Sequence, residues 1–193
     1  MKRELLEELL SYVSKNPSKP AESLSGKYGS FLQIAEATEQ SLAYDLDGDT
    51  QAAFYLKLCV ALASRRISDS FVFGKKHTEK EICEYLCSVL FGMPEETVYM
   101  ISLDSLGRCV AADRVGEGIV NFSSVLPRKV VDVAKRRGAK SIIIAHNHPG
   151  ASLTPSGNDI SAGEILSEFL RSAEIILEKS YVVSGMECAE IVF

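Results

Sequence analysis

The apolar run Ser141-Ile142-Ile143-Ile144-Ala145 leads straight into His146-Asn147-His148-Pro149. Such a run reads as an apolar strand, and the helical patterns on either side of it point to an α/β sheet. Side chains alternate along a strand, so His146 and His148 share one face while Asn147 turns to the other. Ser156 and Asp159 follow, giving the spacing H-x-H-x7-S-x2-D. Two neutral imidazoles and a carboxylate suit a divalent metal of borderline softness, zinc first. Three protein ligands leave a fourth position for water, as in catalytic rather than structural zinc. Each part also has a plainer reading. Ser156-x-x-Asp159 before an apolar run is a helix amino-terminal cap, and a single strand-end histidine is usually structural. The chain has three histidines in all and places two of them here, so the combination favours a metal.

At 193 residues there is room for one medium domain or two small ones. Hydrophobic residues at 46% and charged residues at 24% describe an ordinary globular chain. No apolar run approaches the ~20 residues that span a bilayer, so no membrane partner is expected. Met1-Lys2-Arg3-Glu4 opens an acidic amphipathic segment rather than a signal peptide, and a cytoplasmic location is the expectation. The five cysteines are odd in number and contain no C-x-x-C pair. Cys83 and Cys87, four apart on an expected helix, read as a metal pair or as buried core thiols. With no cluster to join them, core thiols in a reducing compartment are favoured. A net charge of −5 argues against broad electrostatic binding of nucleic acid.

Two parts are expected. Residues 1–73 read as a small all-α domain, with a helix over 2–15 ended by Pro17 and Pro20 and further helices near 21–27, 29–37 and 50–65. Residues 68–76 break the helical pattern and read as a linker. Residues 74–193 read as the α/β domain with a mixed sheet. Thr78 and Glu81 form a T-x-x-E capping box. Strands are expected over Thr97–Leu103 and Arg108–Val115, turned at Asp104-Ser105-Leu106-Gly107. A helix from Pro127 to Gly138, the strand at 141–145, a helix over 157–171, and strands near 174–183 and 187–193 complete it.

The stretch from His146-Asn147-His148-Pro149 through Thr154-Pro155-Ser156-Gly157-Asn158-Asp159 resembles the JAMM (MPN) metalloprotease motif, and its H-N-H-P…T-P-S-x-x-D form resembles the bacterial RadC family. The resemblance runs from about Glu96 to the carboxy terminus and more weakly over the amino-terminal helices. It implies a cytidine-deaminase-like α/β/α core, Zn2+ held by His146, His148 and Asp159, and a catalytic glutamate opening an earlier strand. The family's E-x-x-x-x-x-x-L-D pattern selects Glu96, ahead of Leu103-Asp104. Without the resemblance, Glu95-Glu96 after Pro94 reads as a solvated loop, and Glu117 in Gly116-Glu117-Gly118 is the rival base. In the implied mechanism Glu96 moves the proton of a zinc-activated water, and the Ser156 hydroxyl, if turned inward, donates to the oxyanion. Asn147 is expected to secure the loop. The expected substrate is an unidentified peptide or protein, cut at an amide or isopeptide bond.

Three places depart from the family. Pro127-Arg128-Lys129 replaces P-R-E, Pro149-Gly150-Ala151 replaces Pro-Ser-Gly, and Lys179-Ser180 stands where an Asp-His pair is common. The amino-terminal part resembles a helix-hairpin-helix region, which implies DNA contact through a G-x-G turn. Here the turn is Asp47-Gly48-Asp49, and residues 1–73 carry 8 Lys+Arg against 10 Asp+Glu, a balance of −2. Carboxylates at a phosphate-contacting turn repel DNA, so a degenerate hairpin kept for structure or protein contact is favoured. The alternative function is a DNA-repair or recombination accessory whose metal domain is not catalytic. A nucleobase deaminase lacks its signature, since no C-x-x-C occurs.

Overall fold

The computed structural model describes residues 3–117, 125–149 and 152–193. Five helices come first: α1 (Arg3–Ser11), α2 (Ser18–Lys27), α3 (Phe31–Glu36), α4 (Glu39–Asp45) and α5 (Thr50–Ser70). Ser30, Thr38 and Asp49 cap α3, α4 and α5, each side chain accepting the N–H three residues on. Leu6, Leu10, Leu24, Ile34, Leu42 and Leu56 meet in one apolar core. Pro17 and Pro20 do not end the first helix, which stops at Ser11. They begin the second, Pro17 as its cap and Pro20 in its first turn, where a missing N–H costs nothing. Helix α4 is an element that the periodicity did not reveal. Helix α5 runs on to Ser70, past the expected end at 65, with an Arg65–Asp69 ion pair of 2.7 Å along its last turns.

The segment after α5 is tied down at several points. Gly74 donates to the Cys109 carbonyl at 2.7 Å and Cys109 to that of Lys75 at 2.9 Å. Gly74 has φ 88°, a left-handed conformation that suits glycine. Thr78 and Glu81 make both bonds of the expected capping box at the start of α6 (Glu79–Leu90).

The sheet contains β1 (Thr97–Leu103), β2 (Cys109–Glu117), β3 (Ser141–Asn147), β4 (Ile176–Ser184) and β5 (Glu187–Glu190), in the order β2-β1-β3-β4-β5. Every neighbouring pair is antiparallel except β3–β4. This is the expected mixed sheet of an α/β domain. Helices α7 (Val125–Arg136) and α8 (Gly157–Ser172) complete it. Strand β3 is buried along its whole length, which explains its unbroken apolar run. Ile143 and Ala145 pack with Leu86 and Leu90 of α6 on one face. Ile142 and Ile144 pack with Val130 and Ala134 of α7 and Leu166 and Leu170 of α8 on the other. No helix among the described residues is long and apolar enough to cross a membrane.

Candidate metal centre

Strand β3 runs two residues further than the expected 145, because its pairing continues: His146 lies opposite Val98 of β1 and Val182 of β4, and Asn147 opposite Val183. The alternation that sends Ile144 toward α8 sends His146 there too. The His148 N–H then donates to the Val183 carbonyl at 2.9 Å, which carries the backbone past the end of the strand in a fixed path. Asp159 comes from the opposite direction, at the third position of α8. Ser156 caps that helix, its hydroxyl accepting from the Asp159 N–H, while the Asp159 carboxylate accepts from the Ser156 N–H. The capping reading of S-x-x-D is therefore correct. The same box aims Asp159 at the two imidazoles, so capping and convergence coexist.

His146 Nε2 and His148 Nε2 are 3.0 Å apart. Asp159 Oδ1 is 3.3 Å from His146 Nε2, and its Oδ2 is 3.4 Å from His148 Nε2. Zinc bonds of about 2.0–2.1 Å at the tetrahedral angle would set donor atoms about 3.3 Å apart, so these residues fit the ion. Among the described residues they form the one group of three such donors close enough to hold a metal. His148 Nδ1 lies 3.0 Å from the Ser152 carbonyl, and the tautomer that donates there leaves the Nε2 lone pair facing the other ligands.

The electrostatics favour the metal-binding forms. Burial holds the His146 imidazole down at about 4, with the Asp159 carboxylate opposing and His148 adding to it, so the ring is neutral at pH 7. Burial alone would raise Asp159. The two Ser156 hydrogen bonds and the neighbouring imidazoles outweigh it and hold the carboxylate below its ordinary range. Glu96 is half-buried just ahead of β1, and burial followed by the Asp159 charge raises its carboxyl, with His148 pulling the other way.

Asn147 does more than secure a loop. Its Oδ1 accepts from the Thr97 N–H at 2.7 Å, and its Nδ2 donates to the Met93 and Glu95 carbonyls at 3.3 and 3.2 Å. One buried side chain thus clamps the backbone on both sides of Glu96. The rival Glu117 is in no loop: it pairs with Thr97 at the end of β2, is exposed, and bonds Arg114 at 3.0 Å. Gly118 lies outside the described residues, as do Gly150 and Ala151 of the altered loop. Lys129 is exposed on α7. Ser180 is buried and lines a small cavity with His146 and Asp159, so that departure alters the wall behind the ligands. The Ser152 carbonyl had no signal in the sequence, because it depends on loop closure, while Ser180 stood out only as a departure whose place behind the ligands depends on strand pairing.

The geometry agrees with comparison to known proteins. A UPF0758 protein of Janthinobacterium sp. (strain Marseille) is 28% identical over 178 residues, covering 91% of this chain and 79% of that protein. One from Vibrio vulnificus (strain YJ016) is 30% identical over 169 residues, covering 86% and 75%. One from Fusobacterium nucleatum is 29% identical over 193 residues, covering 94% and 82%. The model of the RadC-like JAB domain matches residues 55–189, from within α5 to the last strand. With that match over most of its length, and a JAMM-type fold that brings His146, His148 and Asp159 together, the chain belongs to the RadC family.

Proposed function

We propose that this chain is a zinc-dependent hydrolase that cleaves an amide or isopeptide bond of a peptide or protein. The observation that carries the proposal is the mutual spacing of His146, His148 and Asp159, with a half-buried Glu96 coupled to them. Zinc bound there would lower the pKa of a coordinated water toward ~7 and polarise a carbonyl. Glu96 would take the water proton and pass it to the leaving nitrogen, a role that its raised carboxyl pKa suits. Asn147 keeps that glutamate in place. Ser156 donates to Asp159 Oδ2 at 2.7 Å. To serve the oxyanion, its hydroxyl would exchange that carboxylate for the substrate oxygen.

The test is elemental analysis joined to a peptide-library cleavage screen. One zinc per chain is expected, abolished by His146→Ala or Asp159→Ala, while Glu96→Gln keeps zinc and loses hydrolysis. A chain purified without chelator under metal-replete conditions that carries no metal would end this reading. For the amino-terminal helices we infer a structural or protein-contact role over DNA binding. Asp47 is paired to Lys19 at 2.7 Å and Asp49 caps α5, so both carboxylates stay at the turn that phosphate would approach. Tight, salt-dependent binding of duplex or branched DNA near ~50 mM salt would contradict that inference.

A further inference from the structure

Away from the metal centre, thiol chemistry is concentrated where α6 meets the last two strands. Cys83 of α6 and Cys188 of β5 bring their Sγ atoms to 2.8 Å, against about 2.05 Å in a formed disulfide. Both are free thiols, and both are partly rather than fully buried. They lie 105 residues apart in sequence, so only the fold brings them together. A polar network holds the two elements in this apposition. Lys179 of β4 binds Glu79 of α6 at 3.2 Å and Glu190 of β5 at 2.5 Å, and the Tyr181 hydroxyl donates to Glu79 at 2.8 Å. Cys87, one turn along α6, is buried in the apolar core.

We propose that Cys83 and Cys188 are a reversible dithiol–disulfide couple that latches strand β5 to α6 when the chain meets a small disulfide oxidant of the glutathione type. The Cys83 thiolate attacks one sulfur of oxidised glutathione, forming a mixed disulfide and expelling one glutathione thiolate. The Cys188 thiolate then attacks the Cys83 sulfur and expels the second. The two protein thiols lose two electrons, and the two released glutathiones gain them along with the two protons. Cys83 acts first for a physical reason. Burial raises both thiols, and Glu79 and Glu190 add to it at Cys83, but the bond with Cys188 and the Lys179 charge pull Cys83 back, while the same bond raises Cys188 further. Strand pairing carries the latch toward the centre of the sheet: Cys188 lies opposite Val183, which lies opposite Asn147.

The folded full chain, incubated with oxidised glutathione, alkylated and cut after glutamate without reduction, tests this. Glu84 lies between Cys83 and Cys87, so the fragments assign the partner without ambiguity. The expected product is one internal bridge, two hydrogens lighter than the reduced chain, joining the fragments of Cys83 and Cys188 and opening again with dithiothreitol. Cys87→Ser keeps the bridge; Cys83→Ser and Cys188→Ser abolish it. Glutathione adducts without an internal bridge, a bridge through Cys87, or a bridge that forms only in urea would each overturn the proposal. Mapping of the unmutated chain decides the matter even if a serine variant folds poorly.

Discussion

In the proposed function, Glu96 and the three metal donors do separable work. Replacing the carboxyl with the amide in Glu96→Gln preserves shape and leaves all three metal donors in place. Zinc content should stay at one per chain while turnover of a cleaved peptide falls by about 10²–10⁴-fold, the usual worth of a positioned acid–base group. Zinc lost with that substitution would instead make Glu96 a ligand. In the same proposal Asn147 acts through Glu96 rather than on substrate. Asn147→Ala strands the buried Thr97 N–H and two carbonyls, and leaving even one buried polar group unpaired costs about 1–3 kcal/mol. A urea titration should show that loss with zinc binding intact. An unchanged midpoint would show that water replaces the amide.

Helix α8 is the element in which folding and ligand placement share the same atoms. Ser156→Ala removes the cap hydroxyl, at about 1 kcal/mol, and frees Asp159 Oδ2 from its orienting bond. Zinc affinity should fall about 10–100-fold, as for other outer partners of a ligand, and competition with a chromogenic chelator measures it. Undiminished affinity would mean that the helix backbone alone orients the carboxylate. The elements legible in the sequence are those with strong local signals: both capping boxes, the strand Thr97–Leu103, and the H-x-H turn. Others depend on distant partners. His146 and Asn147 extend β3 because Val98, Val182 and Val183 pair with them, a fact invisible at the end of an apolar run. Glu117 joins β2 through Thr97 in spite of its glycine neighbour. Helix α4 has seven residues, too few to display a period, and was marked only by the Thr38 cap. The Cys83–Cys188 apposition spans 105 residues and left no local trace at all.

For the whole molecule, the buried His146 ties stability to pH. An unfolded histidine takes its proton near 6.5, whereas the folded His146 resists until about 4. Between those values the unfolded state holds more protons, so the metal-free chain loses stability as pH falls from 6.5 toward 4, by roughly 3 kcal/mol from this group. Asp159, held below its ordinary range, adds to the loss at still lower pH. Urea titrations of the metal-free chain at pH 7 and pH 4.5 should show the drop, reduced in His146→Ala. An equal drop in both chains would assign it elsewhere.

The three metal donors also share a topological property. His146 and Asp159 are only 13 positions apart, with His148 between them, while Glu96 stands 50 positions before His146. Loop-closure entropy grows with the logarithm of chain length, so gathering the donors restricts the unfolded chain very little. Strand pairing still fixes His146 and His148 in place, but Glu96 must be brought to them across a much longer stretch of chain. In the proposed hydrolase, the donors would therefore close over a shorter loop than the base, and reactivity would wait on the completed fold.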